Sequence, residues 1–195
     1  MKKIILITGG ERSGKSTYAE NLALSLSPHP VYMATARIWD EEFRHRVARH
    51  RERRGAQWTN IEEEKCLSRH TVAGRVVLVD CITLWSTNYF FDMRPAEKDG
   101  LPTAEPTADN DEKAQAQESD LHVARTLQAL KEEFDRFTGQ EATFIFVSNE
   151  IGWGGIPANG IQRRFTDLLG WMNQYIAGKA DQVVLMVSGI PVQIK

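Results

Sequence analysis

Eight consecutive residues, Gly9-Gly10-Glu11-Arg12-Ser13-Gly14-Lys15-Ser16, have the spacing GxxxxGK[ST], and every residue type in that pattern answers a need of a polyphosphate. Glycines let backbone N–H groups turn inward with no Cβ in the way, and the start of a helix adds positive potential. Lys15 reaches the β and γ phosphates, and the Ser16 hydroxyl ligates Mg²⁺. The chemistry implied is the binding of a nucleoside triphosphate for phosphoryl transfer. Asp80 closes the apolar run Val76-Val77-Leu78-Val79, which is where an acid completes a magnesium shell. An aspartate at a strand end is also an ordinary cap, so both roles stand.

A second constellation is basic. Arg46, His50 and Arg54 are spaced by four and share one helical face, flanked by Arg49 and Arg53. Guanidinium groups beside an imidazole disfavour its protonation and leave a neutral, nucleophilic nitrogen near pH 7. The same charges would neutralise a triphosphate under attack. His50 is therefore a candidate nucleophile that would form a phosphoramidate. From the residues alone, a solvated face packed through Phe43 and Val47 is the favoured account of this pattern, and a nucleic-acid surface is a further one. His29, His45, His70 and His122 have no comparable setting.

The elements that must hold these residues read as alternating strands and helices. Ile4 to Thr8 is a short apolar run of the kind buried on both faces of a parallel sheet. A helix is predicted from Lys15 to about Leu26, closed by Pro28 and Pro30, and a strand resumes at Val31-Tyr32-Met33-Ala34. Asp40 to Arg54 has acids in its first turn and arginines before Gly55, which suits a helix and its dipole. Further strands are expected at 76–80, 143–148 and 183–187, with an edge strand at 192–194. Helices are expected over 119–137 and 161–177. Met93 to Gln117, rich in Pro, Ala, Glu, Asp and Gln, reads as a mobile surface loop within the domain, either a lid or a tolerated insertion. The alternation predicts an α/β fold with a mostly parallel sheet and helices on both faces.

Composition bounds the rest. The 195 residues are 42% apolar and 26% charged, enough for one globular domain over 1–195 with one core. A formal net charge of −2 supplies no global attraction for nucleic acid or an anionic membrane. The two cysteines, Cys66 and Cys81, form no CxxC pair, and a reducing, cytoplasmic setting is expected. The apolar start stops at Gly9, too short for a signal peptide, and no run is long enough to span a membrane.

Several further stretches carry a resemblance. The loop at 8–16, Tyr32-Met33-Ala34-Thr35-Ala36, the helix bearing Arg46, His50 and Arg54, and Val79-Asp80-Cys81-Ile82-Thr83-Leu84-Trp85-Ser86-Thr87-Asn88 come first. Then follow Ser148-Asn149-Glu150-Ile151-Gly152-Trp153-Gly154-Gly155-Ile156-Pro157, Arg164-Phe165, Gly170, Asn173-Gln174 and Val187-Ser188-Gly189-Ile190-Pro191. In this order, over nearly the whole chain, they resemble the bifunctional adenosylcobinamide kinase / adenosylcobinamide-phosphate guanylyltransferases of cobalamin biosynthesis.

The resemblance implies a P-loop NTPase (RecA-like) three-layer sandwich and two activities. ATP or GTP would phosphorylate the aminopropanol hydroxyl of adenosylcobinamide, and GMP from GTP would then be transferred onto that phosphate. It implies a guanylylated histidine, here His50. It also implies guanine-nucleotide contacts at Gly9, Gly10, Glu11, Arg12, Ser13, Gly14, Lys15, Ser16, Ala34, Thr35, Ala36, Arg51, Glu52, Arg53, Arg54, Glu62 and Leu84. A Glu62 carboxylate can accept from guanine N1–H and N2–H₂, a pair adenine lacks; it also stands in an acidic run, Glu62-Glu63-Glu64, typical of a solvated surface. Asn149 and Glu150 end a strand and would position Mg²⁺ or the corrinoid side chain. Family members assemble as trimers, so a homo-oligomer is expected. Arg49 beside His50 departs from relatives that carry a second histidine there. A monofunctional small-molecule P-loop kinase is the alternative.

Overall fold

The computed structural model describes residues 1–38, 41, 55–93 and 109–195, with side chains of the last stretch from residue 117 onward. The expected basic helix, with His50, Arg51, Glu52, Arg53 and Arg54, lies outside the described residues, as do positions 94–108 of the expected loop.

Seven strands form one sheet: β1 (Lys3–Gly9), β2 (Val31–Ala34), β3 (Thr59–Glu62), β4 (Val76–Asp80), β5 (Thr143–Val147), β6 (Gln182–Val187) and β7 (Ile190–Gln193). Their order is β3-β2-β4-β5-β1-β6-β7. All neighbours pair in parallel except β6 and β7, which are antiparallel. Four described helices are α1 (Lys15–Leu26), α2 (Ile82–Asp92), α3 (Asp109–Thr138) and α4 (Gly160–Lys179). The fold is the α/β, RecA-like sandwich with a mostly parallel sheet.

Alternation along the strands divides the core in two, because successive side chains of a strand point to opposite faces. Ile4, Leu6, Met33, Val77, Val79, Phe144 and Phe146 pack on one side against Trp85 of α2, Phe134 of α3 and Leu168 and Met172 of α4. Ile5, Ile7, Tyr32, Leu78, Ile145 and Val147 pack on the other against Ala19 and Ala23 of α1 and against Trp58. The small alanines let α1 lie close to the sheet.

The two apolar-run strands at 31–34 and 76–80 appear with the expected bounds, as does the first helix. Two elements were not anticipated. β3, Thr-Asn-Ile-Glu, is mostly exposed and pairs only with β2, so it lacks the apolar signature of a buried strand. α2 is rich in β-branched and aromatic residues, which argue weakly for helix; burial of Ile82, Trp85, Tyr89 and Phe90 secures it. One expectation is corrected: α3 begins at Asp109 rather than Ser119, so 109–117 are helix and not loop. Asp109, Asp111 and Glu112 favour a helix N-terminus, and the Lys, Ala and Gln residues that follow are strong helix formers. Low apolar content alone does not separate a polar loop from a polar helix.

Candidate active site

The parallel register sets Ala34, Asp80, Val147 and Ile7 level across four neighbouring strands. The phosphate loop, the 34–36 segment, Asp80 and Asn149-Glu150 therefore share the carboxyl edge of the sheet, the side on which α/β sheets gather ligands. β5 lies between β1 and β4, so Glu150 arrives between the loop and Asp80.

The loop is braced by its neighbours. Gly9 has φ +147, and a Cβ there would stand 2.5 Å from the backbone oxygen of Met186 on β6. Gly14, with φ +94, precedes α1, and a Cβ there would stand 3.2 Å from Gly189 Cα. The Gly189 N–H donates to the Ser13 carbonyl at 2.9 Å, so the β6–β7 turn clamps the loop. Ser13 Oγ is buried with no hydrogen-bond partner among the described residues. Inside a loop of this shape, such a hydroxyl suits a phosphate oxygen.

Lys15 is 7% exposed, and its Nζ donates to the Gly10 carbonyl at 2.5 Å. Burial lowers its pKa, opposed by Cys81, Asp80, Glu11 and Glu150. Burial pushes the Cys81 thiol up to about 12, so near neutral pH the opposing charge comes from the three carboxylates. Glu11 and Arg12 are exposed and 3.9 Å apart, a solvated pair of little energetic weight.

Asp80 Oδ2 accepts from the Tyr32 hydroxyl at 2.8 Å. Thr35 is fully buried; its hydroxyl donates to the Cys81 carbonyl at 2.7 Å and accepts from the Cys81 N–H at 2.8 Å. Asn88 Nδ2 on α2 donates to the Thr35 carbonyl at 2.8 Å. The Thr35 side chain thus locks β2 to the end of β4, and the half-buried Ala34 and Ala36 flank it. Glu62 is exposed at the end of β3, level with Ala34. Leu84 is half-buried on α2 and packs against the α1-side core.

Sequence reasoning missed the network behind the loop. Glu150 Oε1 accepts from Thr8 Oγ1 at 2.6 Å and from Asn173 Nδ2 at 3.3 Å, while the Glu150 N–H donates to the Gly9 carbonyl at 3.1 Å. Asn173 Nδ2 also reaches the Asn149 carbonyl at 3.1 Å, and its Oδ1 accepts from Ser148 Oγ at 2.6 Å. Thr83 Oγ1 receives the Asn149 N–H at 3.0 Å. Polar residues ending otherwise apolar strands, Thr8 and Ser148 among them, were the available signal.

Ser16, partly exposed at the start of α1, and half-buried Asp80 offer hard oxygen donors. Mg²⁺ in nucleotide sites is held by one or two such groups together with phosphates and water, so this pair fits it. Among the described residues, no three His, Cys, Asp or Glu side chains form an all-protein metal cage. A groove of about 820 Å³ between α3 and α4, lined by Val123, Leu127, Trp171 and Tyr175 among others, shares no lining residue with the loop, Asp80 or Glu150. The chemistry points to the sheet edge rather than to that groove.

Fold and loop together define a P-loop nucleotide-binding protein of RecA-like architecture. Within that class, residues 5–194 match the family described as cobinamide kinase / cobinamide phosphate guanyltransferase, and the chain belongs to this family of enzymes. It is 36% identical to the bifunctional adenosylcobalamin biosynthesis protein CobP of Pseudomonas aeruginosa, over 97% of this chain and 96% of that protein. It is 35% identical to the corresponding CobU of Escherichia coli, over 98% and 99%. Among solved structures, the flagellar accessory protein FlaH of Methanocaldococcus jannaschii aligns with a TM-score of 0.45 and 14% identity, over 99% of this chain and 78% of that one.

Proposed function

We propose that this enzyme phosphorylates adenosylcobinamide with ATP or GTP and then transfers GMP from GTP onto the new phosphate, giving adenosylcobinamide-GDP. The observation that carries the reading is the buried Lys15 in its phosphate loop, at the same sheet edge as Asp80 and Glu150, in a chain of this family.

In the first reaction the aminopropanol oxygen bonds to the γ-phosphorus as the bond to the β–γ bridging oxygen breaks. The hydroxyl proton is released and a nucleoside diphosphate departs. Backbone N–H groups of Gly9 to Ser16 and the Lys15 ammonium stabilise the charge that gathers on the phosphoryl oxygens. Ser16 and Asp80 would hold Mg²⁺, which neutralises phosphate charge when bound. Asn149 and Glu150, tied to Thr83, Thr8 and Asn173, would position Mg²⁺ or the corrinoid side chain.

In the second reaction a neutral His50 nitrogen attacks the α-phosphorus of GTP. A P–N bond forms, the bond to the bridging oxygen of pyrophosphate breaks, and pyrophosphate leaves. An oxygen of the corrinoid phosphate then displaces His50 and closes the diphosphate. Arg51, Arg53 and Arg54 would balance the phosphate charge, with Glu52, Ala34, Thr35, Ala36, Glu62 and Leu84 around the guanosine. The working form is a homo-oligomer, a trimer by resemblance, which light scattering would measure.

The test uses purified chain and its His50→Ala variant with α- or γ-labelled GTP and Mg²⁺, followed by denaturation. Label from the α position, acid-labile, alkali-stable and lost in the variant, is the expected outcome. Absence of α label in protein that binds GTP and phosphorylates the corrinoid would reduce the chain to a monofunctional kinase.

A further inference from the structure

Directly after Glu150 the chain enters the 3-10 turn Ile151–Gly154 and reaches α4 through Gly155, Ile156, Pro157, Ala158 and Asn159. Both ends are fastened. At one end Glu150 is tied to Gly9 and Thr8. At the other, Arg163 donates to the Pro157 and Ala158 carbonyls, and Asn159 Oδ1 caps α4 by accepting from the Ile161 and Gln162 N–H groups. Between the anchors, Trp153 is 66% exposed and Ile156 90% exposed, with Ile151 also at the surface. Gly155 takes φ +99, and a Cβ on Gly154 or Gly155 would meet nothing within 4 Å. Neither glycine is required by close packing.

Scattered exposed apolar residues need no explanation. A tryptophan and an isoleucine on one short segment with pinned ends, beside a phosphate site, do. We infer that Trp153 and Ile156 form the platform that receives the corrin macrocycle of the acceptor and so set specificity for it. The inference rests on the proposed function, and three observations choose this occupant. Trp153 is three residues beyond Glu150, so its backbone lies within about 11 Å of a residue touching the phosphate loop. That is the reach of an aminopropanol arm and its amide linkage at the rim of a macrocycle. The patch is apolar with a flat aromatic face, which suits contact with the methyl-bearing ring surface of a broad macrocycle and not with a phosphate or ribose. It is also continuous with the catalytic edge through Glu150.

The test is cobinamide phosphorylation by the full-length chain, its Trp153→Ala and Trp153→Phe variants, and Ile156→Ser. Equilibrium dialysis of cobinamide without nucleotide, GTP binding and light scattering accompany it. The expected result is a tenfold or greater rise in KM and in dialysis Kd for cobinamide in Trp153→Ala, substantial recovery in Trp153→Phe, a smaller rise in Ile156→Ser, and unchanged GTP binding. Unchanged cobinamide KM and Kd in both Trp153→Ala and Ile156→Ser would overturn the inference while leaving the proposed function intact. It would equally be overturned if Trp153→Ala lost GTP binding in parallel, or if its only effect were a smaller assembly, which would make the segment a subunit contact. Failure of the unaltered chain to bind cobinamide would overturn the proposed function and this inference with it.

Discussion

Lys15 shows what a functional residue costs the fold. Its folded pKa is lowered by burial, so its charge opposes folding at neutral pH, and the penalty fades as pH rises through the lowered folded value toward the unfolded value near 10.4. Lys15→Met should therefore stabilise the nucleotide-free chain by on the order of 1 kcal/mol, seen as a higher melting temperature, while lowering phosphoryl transfer by about 10²–10³-fold. Calorimetry and initial rates on the same preparation measure both. Asp92 carries the opposite sign. Hydrogen bonds from Arg37, at 2.7 and 2.8 Å, and from Lys65, at 3.2 Å, hold its carboxyl well below the usual carboxylate range. Such a group stabilises above its unfolded pKa near 4, and its contribution is lost as pH falls toward the folded value. Asp92→Asn should cost about 1 kcal/mol near neutral pH, and its denaturation curves should converge with those of the unaltered chain in strong acid.

At the scale of elements, the phosphate loop keeps its shape because β6 and the β6–β7 turn press on it. Gly9 faces the Met186 carbonyl, part of a paired strand that cannot yield as a flexible side chain would. Gly9→Ala should cost about 3 kcal/mol through the clash and the positive φ, and should also weaken GTP binding. Thermal unfolding with and without GTP separates the two effects. Every residue of the loop was legible beforehand, because its chemistry is written in eight adjacent positions. The brace was not, since nothing local marks Gly189 as the partner of Ser13. β3 escaped notice for a related reason: an edge strand paired on one side and open to solvent carries little apolar pattern. The start of α3 is hidden in the sequence because a polar helical turn and a polar loop have similar compositions.

For the whole molecule, site and stability are linked through ligand. GTP at about 100 times its Kd, with Mg²⁺, should stabilise the chain by about 2.7 kcal/mol, raising the melting temperature by roughly 5–10 °C for a domain of this size. Lys15→Met should abolish most of that increase; a full increase in the variant would remove the lysine from the phosphate site. The sequence alone determined the nucleotide class, the α/β alternation, most strands and the family, because a phosphate loop, apolar runs and ordered motifs are local and survive as patterns along the chain. Only the tertiary structure decided which distant groups meet. Thr8 and Glu150 are 142 positions apart, and Tyr32 and Asp80 are 48 apart. Strand order placed β5 between the loop and Asp80. Burial then set the charge balance at Lys15 and left Trp153 at the surface, because solvent access depends on what the folded sheet edge covers and not on the residues beside it in the chain.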